Sequence, residues 1–149
     1  VHPCCAQFNY KIKLGNLKGA DTAIVRAVAL DNSQPKYLNG LGYVNSMRGK
    51  HKRALAAYRM ALDRDPTNGF AYYNMGVTLF NEGDTDEAAN AFYGAGLAYL
   101  KTGKYGQAEK ALADLKDLAS QGMDVSEEIK TLEEALKELT KGEMKDVKA

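Results

Sequence analysis

The apolar positions of this chain fall into a pattern that repeats at a spacing of 34 residues. Leu38, Leu41, Gly42, Ala54, Tyr58 and Ala61 recur as Tyr72, Met75, Gly76, Ala88, Phe92 and Ala95. Within each copy these residues step largely by three and four, the signature of helices that bury one face. Each copy holds two helices, and the break between them falls at Gly49 and Gly83, residues suited to the left-handed conformation that ends a helix. A fixed period of this length describes stacked helix pairs, each of which buries its apolar face on the next. Glycine inside a helix costs about 1 kcal/mol relative to alanine. Gly42 and Gly76, at equivalent positions, therefore mark close approach of helix axes. They are expected to face Ala54 and Ala88, with Tyr58 and Phe92 filling the space between units.

The order large, large, small, then small, aromatic, small, closed by Asp65-Pro66 in the first copy, resembles the tetratricopeptide repeat. The resemblance implies an all-α fold: a right-handed superhelical stack of antiparallel helix pairs, an α-solenoid that binds other proteins. The two clear repeats are residues 35–68 and 69–102. Extending the register backward places Gly15, Ala20, Ile24 and Ala27 on Gly49, Ala54, Tyr58 and Ala61, which defines a degenerate repeat at 1–34. Its second helix runs from about Ala20 to Leu30. Phe8 takes the small position and Lys11 an apolar one, so the first helix is expected to be short or irregular.

Toward the C-terminus the register changes. From Thr85 only Gly94 and Gly96 interrupt the helical pattern before Gly103, which predicts one helix of about 18 residues, or ~27 Å. Phe92, Ala95, Gly96 and Tyr99, followed by Gly103, Ala108, Leu112 and Leu115, again resemble a repeat, so that one helix serves two units. An extra helix follows within 103–122, and a C-terminal helix within 124–140. Asp84 with Glu87, and Asp124 with Glu127, have the spacing of capping boxes. Val125, Ile129, Leu132, Leu136 and Leu139 form one apolar stripe on an otherwise charged helix, which fits a cap over the open end of the stack. Residues 141–149 are expected to fray.

Composition narrows the chemistry. A chain of 149 residues can build a core without metal or disulfide, and a net charge of +1 exerts no global pull toward nucleic acid or membrane. No apolar run approaches the ~20 residues of a membrane span, so membrane insertion is not expected. The chain starts at Val1 rather than Met, which favours removal of an upstream segment and an exported or cell-envelope location. His2, Cys4 and Cys5 are three potential ligands without a second cluster, short of zinc-site spacing. The adjacent cysteines read as free or separately paired thiols, with a link to another subunit as the alternative. His2 and His51 are the only histidines, and neither has a nucleophile in motif spacing. Asp84 and Asp86, like Glu127 and Glu128, sit where helix starts favour negative charge. No phosphate-binding glycine motif is present. The basic run Arg48, Lys50, His51, Lys52, Arg53 is short and lacks interleaved aromatics, so nucleic acid is not expected. Neither catalysis nor a cofactor is expected.

The resemblance places partner contacts on the first helices of the units, along a concave groove. The groove positions are Lys36, Asn39, Tyr43 and Met47 in one unit and Tyr73, Asn74, Val77 and Asn81 in the next. Asn90, Tyr93 and Leu97 extend them, as do Asn9 and Lys13 at the other end. Tyrosine offers apolar area with one hydroxyl, and asparagine pairs with both the donor and the acceptor of a peptide backbone. These residues suit an extended segment of a protein partner. A clamp for C-terminal carboxylates is disfavoured, because Asn39, Tyr43 and Val77 stand at its positions. The alternative is a structural subunit that self-associates through the stack ends or the last helix.

Overall fold

The 34-residue period recurs in the hydrogen bonds that turn the chain. In the computed structural model, which describes residues 3–148, Asp31 Oδ1 accepts from the Ser33 backbone N–H at 3.0 Å and the Ser33 hydroxyl at 2.5 Å. One period later Asp65 Oδ1 accepts from the Thr67 N–H at 3.0 Å and its hydroxyl at 2.7 Å. These bonds hold the Asp31 carboxyl below its ordinary pKa. The other turns use glycine in the left-handed region, at φ 74° for Gly49 and 86° for Gly83.

Among the described residues there are eight helices: α1 (Pro3–Lys13), α2 (Leu17–Leu30), α3 (Pro35–Met47), α4 (His51–Arg64), α5 (Gly69–Glu82), α6 (Thr85–Lys101), α7 (Tyr105–Ser120) and α8 (Ser126–Lys148). Successive helices pack on one another, and α8 lies across both α6 and α7. The chain is therefore an all-α solenoid of antiparallel helix pairs. No helix among the described residues is long and apolar enough to cross a membrane. Phe8, Ile24 and Val44 form the core of its first part, Leu38, Tyr58 and Ala71 that of the second, and Phe92, Leu115 and Leu132 that of the rest.

The helical glycines do not face alanine. A Cβ on Gly42 would lie 2.5 Å from the Tyr58 ring, and one on Gly76 would lie 2.7 Å from the Phe92 ring. Each aromatic side chain thus lies on the bare backbone of its own helix pair, while Tyr58 also joins Ala71 of α5 in one core cluster and Phe92 also lines a cavity with Leu118 of α7. The reason is size: a ring needs the room that two facing methyl-sized groups do not.

The long helix predicted after Gly83 is α6, of 17 residues. Its two glycines admit neighbours from two elements. Gly94 lies under Tyr72 of α5, where a Cβ would come within 2.9 Å, and Gly96 lies under Leu132 of α8, at 2.7 Å. Burial accordingly spreads around the helix, from Ala88 and Phe92 to Gly96, Tyr99 and Leu100.

Two expectations about helix ends need correction. Helix α8 runs to Lys148 and does not stop near residue 140; Lys141, Glu143, Met144 and Lys145 are good helix formers, and Thr140 returns its hydroxyl to the Leu136 carbonyl at 2.8 Å. Asp84 caps α6 by accepting from the Glu87 N–H at 3.3 Å, but Asp124 accepts from the Ser126 hydroxyl at 2.9 Å instead of capping α8. Helix α1, at 11 residues the shortest of those described, is short as expected, and its Phe8 turns inward and is buried against Ile24 and Val44. On the α8 stripe Val125, Leu132 and Leu136 are buried, whereas Leu139 is exposed where the helix overhangs.

Two substitutions test this packing by thermal melting. Gly76→Leu should lose about 3 kcal/mol by driving a side chain into the Phe92 ring, whereas Gly106→Ala in α7, where nothing lies within 4 Å of a new Cβ, should gain about 0.5 kcal/mol. The Tyr58 hydroxyl is buried without a hydrogen-bond partner. Tyr58→Phe should therefore raise stability by about 1 kcal/mol; a lowered midpoint would show that the hydroxyl is satisfied.

Candidate functional site

A cleft of about 610 Å³ opens between α1, α3 and the starts of α5 and α7. Four residues predicted for the groove line it: Asn9, Lys36, Asn39 and Tyr43. Phe8 and Ile12, one turn apart on α1, supply one apolar wall, and Phe70, 44% exposed at the start of α5, supplies another. Lys104, which precedes α7, completes the rim.

The polar centre of the cleft is a pair of asparagines from successive units. Asn68 caps α5, its Oδ1 accepting from the Ala71 N–H at 3.1 Å. The same oxygen accepts from Asn39 Nδ2 at 3.2 Å. Because the cap fixes which atom Asn68 presents, Asn39 must offer its nitrogen and keep its Oδ1 on the other side. That Oδ1 is buried and has no partner, in a residue only 9% exposed. A buried acceptor in this condition costs about 1 to 3 kcal/mol.

The remaining predicted positions separate. Tyr73 and Val77 line a second, smaller cavity of about 190 Å³ between α5 and α7, together with Phe80, Phe92, Asp114 and Asp117. The Tyr73 hydroxyl donates to Asp114 Oδ2 at 2.6 Å, its ring tilts against Phe92 with centroids 5.5 Å apart, and Lys110 Nζ lies 5.1 Å from the ring centre. Burial, then the Asp114 hydrogen bond, push the Tyr73 hydroxyl well above its ordinary value. Tyr73 therefore ties α5 to α7. Asn74 returns its amide to the Phe70 carbonyl at 2.9 Å, while Met47 and Asn81 are exposed outside both linings. Lys13, Asn90 and Leu97 are exposed, Tyr93 is half-buried against the core, and none of the four lines either cavity. Within the basic run, Arg48 pairs with Asp21 of α2. His2 lies outside the described residues, as do the side chains of Cys4 and Cys5.

Phe70, Asn68 and Lys104 were missed because they sit at helix starts and not on the helix faces that the register marks. A signal existed for Asn68, whose residue type and position just before an apolar-rich helix fit an N-cap.

Helix pairs stacked around an open, partly apolar cleft define a helical-repeat protein of the solenoid class. The chain belongs to the tetratricopeptide repeat family: models of that repeat match residues 5–69, 57–89 and 89–121. The third match begins inside α6, so α6 closes one unit and opens the next. No curated protein sequence matches the chain. Among solved structures it is similar to PcrH in complex with the chaperone binding region of PopD, at 21% identity and a TM-score of 0.76 over 80% of this chain and 91% of that one. The type III secretion translocator chaperone SycD of Yersinia enterocolitica shares 14% identity, with a TM-score of 0.74 over 80% of this chain and 83% of that one. The Sgt2 repeat domain of Aspergillus fumigatus shares 19%, with a TM-score of 0.70 over 80% and 78%. These likenesses define the fold.

The Tyr73 tie has a pH signature. A tyrosine whose folded pKa lies above its unfolded value of 10.0 contributes stability that is present below pH 10 and lost as the pH rises beyond it. Denaturant melts across that range should show Tyr73→Phe losing stability less steeply than the wild type, with Tyr58 and Tyr99, also raised by burial, supplying the remaining slope. Parallel slopes would remove Tyr73 from the account.

Proposed function

We propose that this protein is a non-catalytic interaction module, an adaptor or assembly factor, which holds an extended segment of a protein partner in the cleft between α1, α3 and α5. The observation that carries this reading is the unpaired Asn39 Oδ1 beside the exposed Phe70 and Tyr43 rings. An extended chain supplies what the cleft lacks, a backbone N–H for the acceptor and a side chain for the apolar walls. The similar PcrH structure contains a bound region of PopD, which supports a peptide as the ligand class. A second reading has its own observation: Leu139, Met144 and Val147 are exposed on the overhanging end of α8, a surface on which copies could join.

Peptides selected from a random displayed library against the whole chain should shift the amide resonances of Asn39, Tyr43 and Phe70. Phe70→Ala and Tyr43→Ala should each weaken the selected peptide by about 2 kcal/mol without lowering the melting temperature. Shifts confined to α8, with growth in particle size on concentration, would move the interaction to the end of the stack.

A further inference from the structure

The cleft has an electrical direction as well as an apolar wall. Lys36 lies in the first turn of α3, Asn68 and Phe70 at the start of α5, and Lys104 at the N-cap of α7, so three helix starts converge on one cavity. Helix starts carry partial positive charge and unpaired N–H groups. Of the other helix starts, α6 has Asp86 and Glu87 in its first turn and α8 has Glu127 and Glu128, whereas α1, α2 and α4 have no acidic residue there. The three starts at the cleft have no acidic residue in the first turn, and those of α3 and α7 have no side-chain cap. Two lysines line the cavity, and among the described residues no carboxylate does. The buried Asn39 Oδ1, held without a partner by the Asn68 cap, points independently to a ligand that brings a backbone donor.

We infer that the cleft selects an anionic segment: an internal stretch of a partner chain in which apolar side chains are followed by Asp or Glu. This rests on the cleft being the binding site. The apolar residues lie between Phe8, Ile12 and Phe70, a backbone N–H of the segment meets Asn39 Oδ1, and the side-chain carboxylate lies among Lys36, Lys104 and the helix starts. The carboxylate comes from a side chain because an extended segment lying along the cleft continues past it at both ends.

The test uses the full chain and short fluorescein-labelled, C-terminally amidated peptides, read by fluorescence anisotropy. One peptide carries Leu-Leu-Glu-Glu within a Gly/Ser sequence; others replace both Glu by Gln or by Lys. A further Gln peptide has a free C-terminal carboxylate directly after its Gln-Gln. The Glu peptide should bind about tenfold tighter than the Gln peptide, with the difference shrinking in high salt. Lys36→Glu with Lys104→Glu, both exposed positions, should abolish that preference and admit the Lys peptide. Equal binding of the Glu and Gln peptides, or a preference unchanged in the double variant, overturns the inference. Full affinity of the free-carboxylate Gln peptide also overturns it and assigns the cationic end to chain termini. The two levels of the reading fail differently. If only the charge selection is wrong, all peptides bind alike and all weaken in Phe70→Ala. If the cleft is not the site, Phe70→Ala changes nothing.

Discussion

The contact on which the solenoid depends is an aromatic ring resting on a glycine backbone. Tyr58 on Gly42 and Phe92 on Gly76 each place a ring where any Cβ would collide. Each pair therefore fixes the distance and rotation between the two helices of its unit, and a ring wedged against backbone has little freedom to slide. That rigidity sets the stacking of units, because the neighbouring helix meets a surface whose shape has already been determined. The cost of glycine in a helix, about 1 kcal/mol, is accepted at these positions because they define the geometry on which later contacts depend.

The cleft follows from the same constraint. Asn39 lies on the helix that carries Gly42, and Asn68 caps the helix that carries Gly76, so the 3.2 Å bond between the asparagines joins two units whose internal geometry is already set. Asn39 consequently has no freedom to turn its Oδ1 toward another partner. Tyr43 and Phe70 are exposed for a related reason, since the rings that belong to the core already occupy the interior.

Much of this was legible in the sequence, and the limits have physical causes. The period exposed the helix pairs and their turn glycines, because packing repeats require identical residue sizes at identical positions. It did not reveal what the glycines face, since an alanine and a ring one turn apart satisfy the same pattern. The end of α8 was misplaced because residues 141–148 lack apolar periodicity while retaining helix-forming side chains. Asn39 and Tyr43 were placed on one helix face by the register and the resemblance, and both line the cleft. Phe70 and Lys104 reach the cleft only because the stack turns, a property absent from any single helix. Tyr73 has a partner in Asp114, distant in sequence and on a helix outside the regular register, and no local pattern encodes that bond.

The double use of α6 limits how this chain can change in length. Repeat proteins ordinarily gain or lose whole units at the boundaries between them, leaving every remaining interface intact. Here Tyr72 rests on Gly94 and Leu132 on Gly96, within one helix and from two different neighbours. Excising the unit before α6 removes one of these contacts, and excising the unit after it removes the other. Duplication at this point would need a second helix with glycines suited to both. The C-terminal part is therefore an indivisible block, whereas the boundaries that precede α3 and α5 separate complete helix pairs.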